Sequence, residues 1–334
     1  MRWLVLAALN EAVYLGLHIF GDLRPRVVEA IVLIVISGLF YIVSCYFAGK
    51  SPVPPAVLAG AALAFRLTVW PLHPALSDDV FRYRWEGKLQ SAGGNPYLTR
   101  PNDPAWAHLR DPQFDRIPGR DFTAVYGPLI QLIQRATWQL PPKLPAALFD
   151  LATLAALAWL LRLRGLPPER LIYYAWCPLP VIEFWATGHN DSLVVFLVVL
   201  ALALAASSRW TGAFAVLAAA ASAKLWPALL LPVFLRRWDR RRPLQPFIIL
   251  PVAAALALPF WTTDLARIVD NVRFTTGFLS GWRNNDSLFA ATLWLSNGDP
   301  FLAKRVTLAL LAAVSLLAIR WPLEKATFAV ILAL

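Results

Sequence analysis

The stretch Ser77-Asp78-Asp79-Val80-Phe81-Arg82-Tyr83-Arg84-Trp85-Glu86-Gly87-Lys88-Leu89-Gln90 opens a long polar loop in a chain that is otherwise largely apolar. It follows the hydrophobic run Pro55–Leu72, so two adjacent carboxylates stand where the chain leaves an apolar phase. From Asp79 onward the spacing is helical. Phe81, Trp85 and Leu89 fall at i, i+4 and i+8, with Arg82, Glu86 and Lys88 elsewhere on the wheel. Such a helix is expected to lie in a membrane interface, aromatic side down, with Asp78 and Asp79 at headgroup depth. A plainer reading makes the pair a helix N-cap followed by an N1 acid, but a cap leaves the rest of the loop unexplained.

Working outward, the composition fits that setting. Hydrophobic residues are 58% of the 334, charged residues 15%, and the mean hydropathy is +0.56, which places the chain among polytopic membrane proteins. The net charge of +11 would suggest nucleic acid if the basic residues formed one patch. They sit instead in short loops between apolar runs, Arg162, Arg164 and Arg170 in one and Arg236, Arg237, Arg240, Arg241 and Arg242 in another. That is the pattern of a cytoplasmic membrane face, and nucleic-acid binding is excluded as a reading. Cys45 and Cys177 lie far apart in apolar stretches, so neither a disulfide framework nor a metal pattern is present.

The expected fold class is an all-α polytopic integral membrane protein with about nine to ten spanning helices. The spans are Trp3–Phe20, Val27–Gly49, Pro55–Leu72, Leu144–Leu161, Leu171–Thr187 and Asp191–Ser207, then Pro246–Trp261 and Phe301–Ile319. Between them, Trp210–Leu235 is one long span or two half-spans meeting at Ser222-Ala223-Lys224. The first run contains Asn10 and Glu11 and has no small-x-small cleavage site before Gly21, so it reads as a span and not a signal peptide. The last run, Ala326–Leu334, is too short to cross, and further C-terminal spans are expected beyond it. One transmembrane domain, 1–334, is expected, with residues 73–143 as a large extracytoplasmic loop. Placing both arginine loops in the cytoplasm of a cell (inner) plasma membrane puts that loop, Gly188-His189-Asn190-Asp191 and Thr262–Asp286 on the outer face. In the loop, Gly93-Gly94-Asn95-Pro96 should end the first helix, and Tyr126-Gly127-Pro128-Leu129 should start a second, with proline in its first turn.

Polar groups at or inside spans are costly and so mark candidate sites. Asp78 or Asp79 could act as a general base toward an incoming hydroxyl. His189, Asn190 and Asp191 form a second cluster, whose plain alternative is a helix cap by Asn190 or Asp191. Lys224 is a point charge for a phosphate or a snorkelling lysine. Trp282-Arg283-Asn284-Asn285-Asp286-Ser287 is a fourth polar knot. Arg66 lies near the outer end of its span and is a possible site residue, Asp150 and Glu183 suit interhelical partners, and Glu11 suits a buried hydrogen-bonding role. No Gly-rich phosphate loop and no metal requirement are evident.

In order along the chain, Ser77–Gly87, Gly94-Asn95-Pro96-Tyr97, Tyr126-Gly127-Pro128-Leu129, Gly188-His189-Asn190-Asp191 and Lys224-Leu225-Trp226-Pro227 resemble the bacterial glycosyltransferase 87-like membrane mannosyltransferases of the GT-C superfamily. The resemblance implies a GT-C-type fold with interfacial helices in a large outer loop and an acidic catalytic residue in that loop. It also implies a polyprenyl-phosphate-linked sugar as donor; the expected acceptor is a lipid or glycan hydroxyl, and no cofactor is expected. By position Asp78 is similar to the family's loop aspartate, with Asp79 the competing choice, and Tyr126-Gly127-Pro128 is similar to a Tyr-Pro-Pro element with Gly127 replacing the first proline. On this basis Lys224, Arg283 or Arg66 would neutralise the departing phosphate. His189, Asn190 and Asp191 would bind sugar or order the base, and Arg82, Tyr126, Asn285 and Asp286 complete the expected substrate-binding set. The alternative is a transporter or flippase of a polyprenyl-linked lipid, against which stands the clustering of polar residues on one face.

Overall fold

The structure, a computed structural model, describes residues 1–74, 76–281 and 287–333. Helices and turns account for all regular structure among them, with no strand. The helices are α1 (Arg2–Ile19), α2 (Val27–Ala48), α3 (Pro55–Val69), α4 (Asp79–Ser91), α5 (Pro128–Thr137), α6 (Leu144–Leu163), two short turns α7 (Ile172–Ala175) and α8 (Pro178–Pro180), and α9 (Asp191–Ala206). The series continues with α10 (Trp210–Ala223), α11 (Leu231–Arg237), α12 (Ile249–Ala257), α13 (Leu265–Gly281), α14 (Ser287–Leu295), α15 (Pro300–Ala318) and α16 (Leu323–Ala333).

Among the described residues three helices are long and apolar enough to cross a membrane: Arg24–Ala48, Leu144–Leu163 and Pro300–Ala318. These apolar helices mark a membrane protein. Of the remaining expected spans, Trp3–Phe20 is one 18-residue helix, Arg2–Ile19, and the others are shorter or broken. Pro55–Val69, Asp191–Ala206 and Trp210–Ala223 are apolar but short, and Gln245–Phe260 bends by 100° into Leu265–Arg273. The run Leu171–Thr187 is not one helix. Pro178 and Pro180 cannot continue a backbone ladder, Cys177 before them is extended, and the chain passes through α7, α8 and a π-helical segment, Val181–Thr187. The run from Trp210 does break at Lys224, which is extended (φ −140°, ψ 146°).

The chain divides into two compact units. One comprises Met1–Lys88, Arg110–Pro118 and Ile133–Ala206, and the other Leu89–Leu109, Gly119–Leu132 and Ser207–Leu334. In the first, α1 packs on α2 and α3, and α6 runs along α9. Its centre is aromatic: Phe65 lies between Tyr14 and Trp176, at ring separations of 5.2 and 5.6 Å, and the Trp176 indole N–H donates to the Leu58 carbonyl. Polar residues on α1 and α2 meet inside it, with the Ser37 hydroxyl bonded to Asn10 and Tyr14. Glu11 accepts from the Thr68 hydroxyl, as a hydrogen-bonding role requires. In the second unit α10 packs on α12, and α15 packs on α14 and α16.

Candidate active site

The helix α4 starts where its sequence signals place it, but the Asp78 side chain is turned away from capping it. The Asp79 amide donates to the Ser77 hydroxyl instead. The Asp78 carboxylate takes the guanidinium of Arg116, at 3.1 Å from Nε and 2.5 Å from Nη2. Arg116 also lies over the Phe81 ring, 4.1 Å from its centroid, and reaches the Pro74 carbonyl. One residue on, Asp79 accepts from the Tyr83 hydroxyl at 3.3 Å.

The aromatic side of α4 does not face lipid. Phe81, Trp85 and Leu89 are buried in the protein, and so are Arg82 and Glu86 on the polar side. Trp85 packs edge-on against Phe114, and at Gly87 the helix meets α5 so closely that a Cβ would stand 2.3 Å from the Gln134 carbonyl. Long-range packing has claimed the face that periodicity alone assigns to an interface. Arg82, a candidate substrate ligand, is paired with Glu86 at 2.5 Å and also reaches the Pro118 carbonyl.

The second cluster is built by the π-helical segment. Wider winding followed by a left-handed Gly188 (φ +84°) folds His189 back over Glu183. Only glycine fits there, since a Cβ would meet Val80 at 2.8 Å and Lys143 at 2.9 Å. The His189 amide donates to the Glu183 carbonyl at 2.9 Å, and its ring Nδ1 pairs with the Glu183 carboxylate. Burial alone would push the imidazole pKa down. The hydrogen bond to Glu183 and the charges of Glu183, Asp79 and Asp191 outweigh it, holding His189 above its ordinary value. Next to it, both polar atoms of the Asn190 amide are buried without a partner among the described residues, so this side chain is not a helix cap. Beneath the loop Lys143 donates to the Trp70 and Leu72 carbonyls, and burial pushes its ammonium down to about 8.

In the second unit the turn before α5 docks on the end of α10. The Gly127 amide donates to the Ala223 carbonyl at 3.0 Å, and a Cβ on Gly127 would stand 2.1 Å from the Ser222 carbonyl oxygen. Proline would lose that donor and clash, which is the physical reason for glycine at this position. Lys224 Nζ lies 5.3 Å from the Tyr126 ring centroid, and the Tyr126 carbonyl accepts from Tyr97. The same turn lines an apolar cavity of about 500 Å³, walled by Tyr97, Val125, Pro128, Phe260, Trp261 and Ile268.

Three expected site residues, Arg283, Asn285 and Asp286, lie outside the described residues. Arg66, expected near the outer surface, is instead spent inside the first unit. Its guanidinium meets Asp150 at 2.6 Å and donates to the Ala62 and Ala175 carbonyls, while Asp150 also accepts from Tyr174 and Trp185. Sequence reading left two partners out of the site. Arg116 is one of several arginines in a polar loop, with nothing local to single it out. Glu183 is visible as an acid in an apolar run, but its proximity to His189 depends on the π winding. Among the described residues no group of three or more His, Cys, Asp or Glu is placed to hold a metal.

Residues 4–240, well over half of the chain, match the MptA_B family, described as alpha-(1->6)-mannopyranosyltransferase, N-terminal domain. The chain belongs to this family. The match supports glycosyl transfer of mannose, with a sugar donor and an acceptor, and carries the mannosyltransferase expectation without the narrower glycosyltransferase 87 one. Asp78, Asp79, Glu183, His189, Asn190 and Lys224 all fall within the matched residues, whereas the cavity wall at Phe260–Ile268 falls beyond them. No curated protein and no solved structure matches the chain.

Proposed function

We propose that this mannopyranosyltransferase-family chain moves mannose from a polyprenyl-phosphate-linked donor to a hydroxyl of a lipid or glycan acceptor. The reaction takes place on the extracytoplasmic face of the plasma membrane and forms the alpha-(1->6) linkage that the family's description names. The supporting observation is the acidic cluster at the start of α4 and α9. There Asp79 acts through its charge on His189, beside an Asn190 amide with no protein partner. In this reading Asp79 takes the proton of the acceptor hydroxyl as the new C1–O bond forms and the C1–O bond to phosphate breaks. The electron pair leaves with the lipid phosphate, a good leaving group once its charge is matched. Asp78, held by Arg116, anchors the loop that carries that arginine and is the competing choice of base. Asn190 and Asp191 take sugar hydroxyls. In the second unit, taken by itself, Lys224 beside the Tyr126 ring is a cation suited to a phosphate, and the apolar cavity at the same turn suits an isoprenoid chain.

The test uses membranes holding the chain, radiolabelled polyprenyl-phosphate-mannose and a mannose-terminated acceptor. Asp79→Asn should lower turnover by roughly 10²–10⁴-fold, the usual range for a positioned acid–base group. A larger loss in Asp78→Asn than in Asp79→Asn would transfer the base to Asp78, and normal turnover in both would remove the α4 acids from the chemistry.

A further inference from the structure

The π-helical segment has a consequence for His189 that rests on the transfer reading above. Glu183 holds this residue twice, by its backbone carbonyl on the His189 amide and by its carboxylate on Nδ1. With Nδ1 taken, Nε2 is the ring nitrogen left for other partners, and none of the described residues bonds to it. Beside it stands the Asn190 amide, likewise without a partner. A π turn and a left-handed glycine thus hold in place two adjacent polar side chains, leaving Nε2 of the one and the amide of the other without a bond among the described residues. Irregular windings of this kind concentrate at functional sites.

We propose that Glu183 is a positioning residue that keeps His189 as an imidazolium, with its Nε2–H aimed at an anionic oxygen of the substrate, the phosphate of the lipid-linked donor. The charged groups around the ring fit this role. Glu183 from the π segment, Asp79 from α4 and Asp191 from α9 all favour the protonated ring. Lys143, at the head of α6, has its ammonium turned to the Trp70 and Leu72 carbonyls. Without Glu183 the ring would lose its strongest reason to carry charge and its fixed orientation together. An imidazolium is also a stronger hydrogen-bond donor than a neutral ring, the more so where water is scarce.

The sign of the pH dependence follows. Substrate phosphate should be held while His189 is protonated and released as pH rises through its raised pKa. Glu183→Gln should move that release to lower pH by about one unit, a tenfold change in proton concentration, and Glu183→Asp should restore part of it. Three measurements check this on the full chain in nanodiscs. The first is the titration of isotopically labelled histidine, of which the chain has four. The second is binding of farnesyl phosphate against pH, and the third is donor KM and kcat against pH. The expected result is a lowered His189 pKa in Glu183→Gln, weaker farnesyl phosphate binding at neutral pH, and a rise in donor KM larger than the fall in kcat. An unchanged His189 pKa, or a lowered pKa with unaltered binding, overturns the proposal. Should the wild type bind farnesyl phosphate with this pH dependence yet transfer no mannose, the transfer reading fails and the role of Glu183 stands.

Discussion

Two groups of charges in the same unit are handled in opposite ways. Arg66 and Asp150 lie fully buried at 2.6 Å, and each is saturated, Arg66 by two carbonyls and Asp150 by a tyrosine hydroxyl and an indole N–H. Around His189 the arrangement is left open. Glu183, Asp79 and Asp191 all favour a charged ring, and the neighbouring Asn190 amide has no partner among the described residues. A folded chain keeps a saturated buried pair because losing either half is costly. An unsatisfied amide beside a charged cluster costs the fold, and use by a group outside the fold accounts for keeping it there. The difference between these two sites, more than any single residue, separates architecture from chemistry here.

The largest effect should come from breaking the saturated pair. Asp150→Ala leaves Arg66 charged and buried, with Tyr174 and Trp185 also unpaired, and should cost about 3–5 kcal/mol of stability. Thermal unfolding in detergent would show it as a lowered midpoint and reduced folded yield. Replacing both partners, Arg66→Met with Asp150→Leu, removes the orphaned charge and should recover much of that loss. If the double variant is no better than the single, the pair is not the self-contained structural unit the comparison makes it. Asp79→Asn, by contrast, should leave the midpoint nearly unchanged while turnover collapses.

How much of this was legible in the sequence follows the range of the interactions involved. Local signals placed the helices Asp79–Ser91 and Pro128–Thr137, the break at Lys224 and the apolar spans Leu144–Leu163 and Pro300–Ala318, because periodicity, proline and glycine act within a few residues. The burial of α4 on all sides was not legible, since its partners Phe114 and Gln134 come from other parts of the chain. Nor were the partners of Arg66 and Asp78, which lie 84 and 38 residues away. Glu183 and His189 are only six residues apart, yet that spacing does not bring side chains together on an ordinary α-helix. Pro178 and Pro180 were in plain view and argued against one helix from Leu171 to Thr187, but mean apolarity outweighed them.

The second unit offers a smaller test of the same contrast, because the turn that carries Tyr126 is positioned by backbone contact. Gly127→Ala would push a methyl against the Ser222 carbonyl, 2.1 Å from the Cβ position, and backbone atoms there can yield little. The cost should be about 1–3 kcal/mol, the range for forced overpacking. Loss of the Tyr126–Lys224 contact should accompany it as a raised donor KM. Unaltered stability and KM would mean that the turn relaxes freely and that glycine here has no positioning role.

The smallest effect on stability, and the sharpest on interpretation, belongs to Asn190. A buried amide with neither its N–H groups nor its oxygen satisfied costs the fold on the order of 1–3 kcal/mol, so removing it should not destabilise. Asn190→Ala is therefore expected to leave the unfolding midpoint unchanged or to raise it slightly, within the limit set by the small void it leaves. Its effect on transfer should run the other way. If the amide is held for a sugar hydroxyl, losing that hydrogen bond should weaken substrate use by roughly tenfold, about 1.4 kcal/mol, with His189 still in place. A stabilised protein with impaired transfer is the signature of a group retained for function at the expense of the fold. A destabilised one would show that Asn190 has a structural partner after all, and would move this cluster to the same side of the comparison as Arg66 and Asp150.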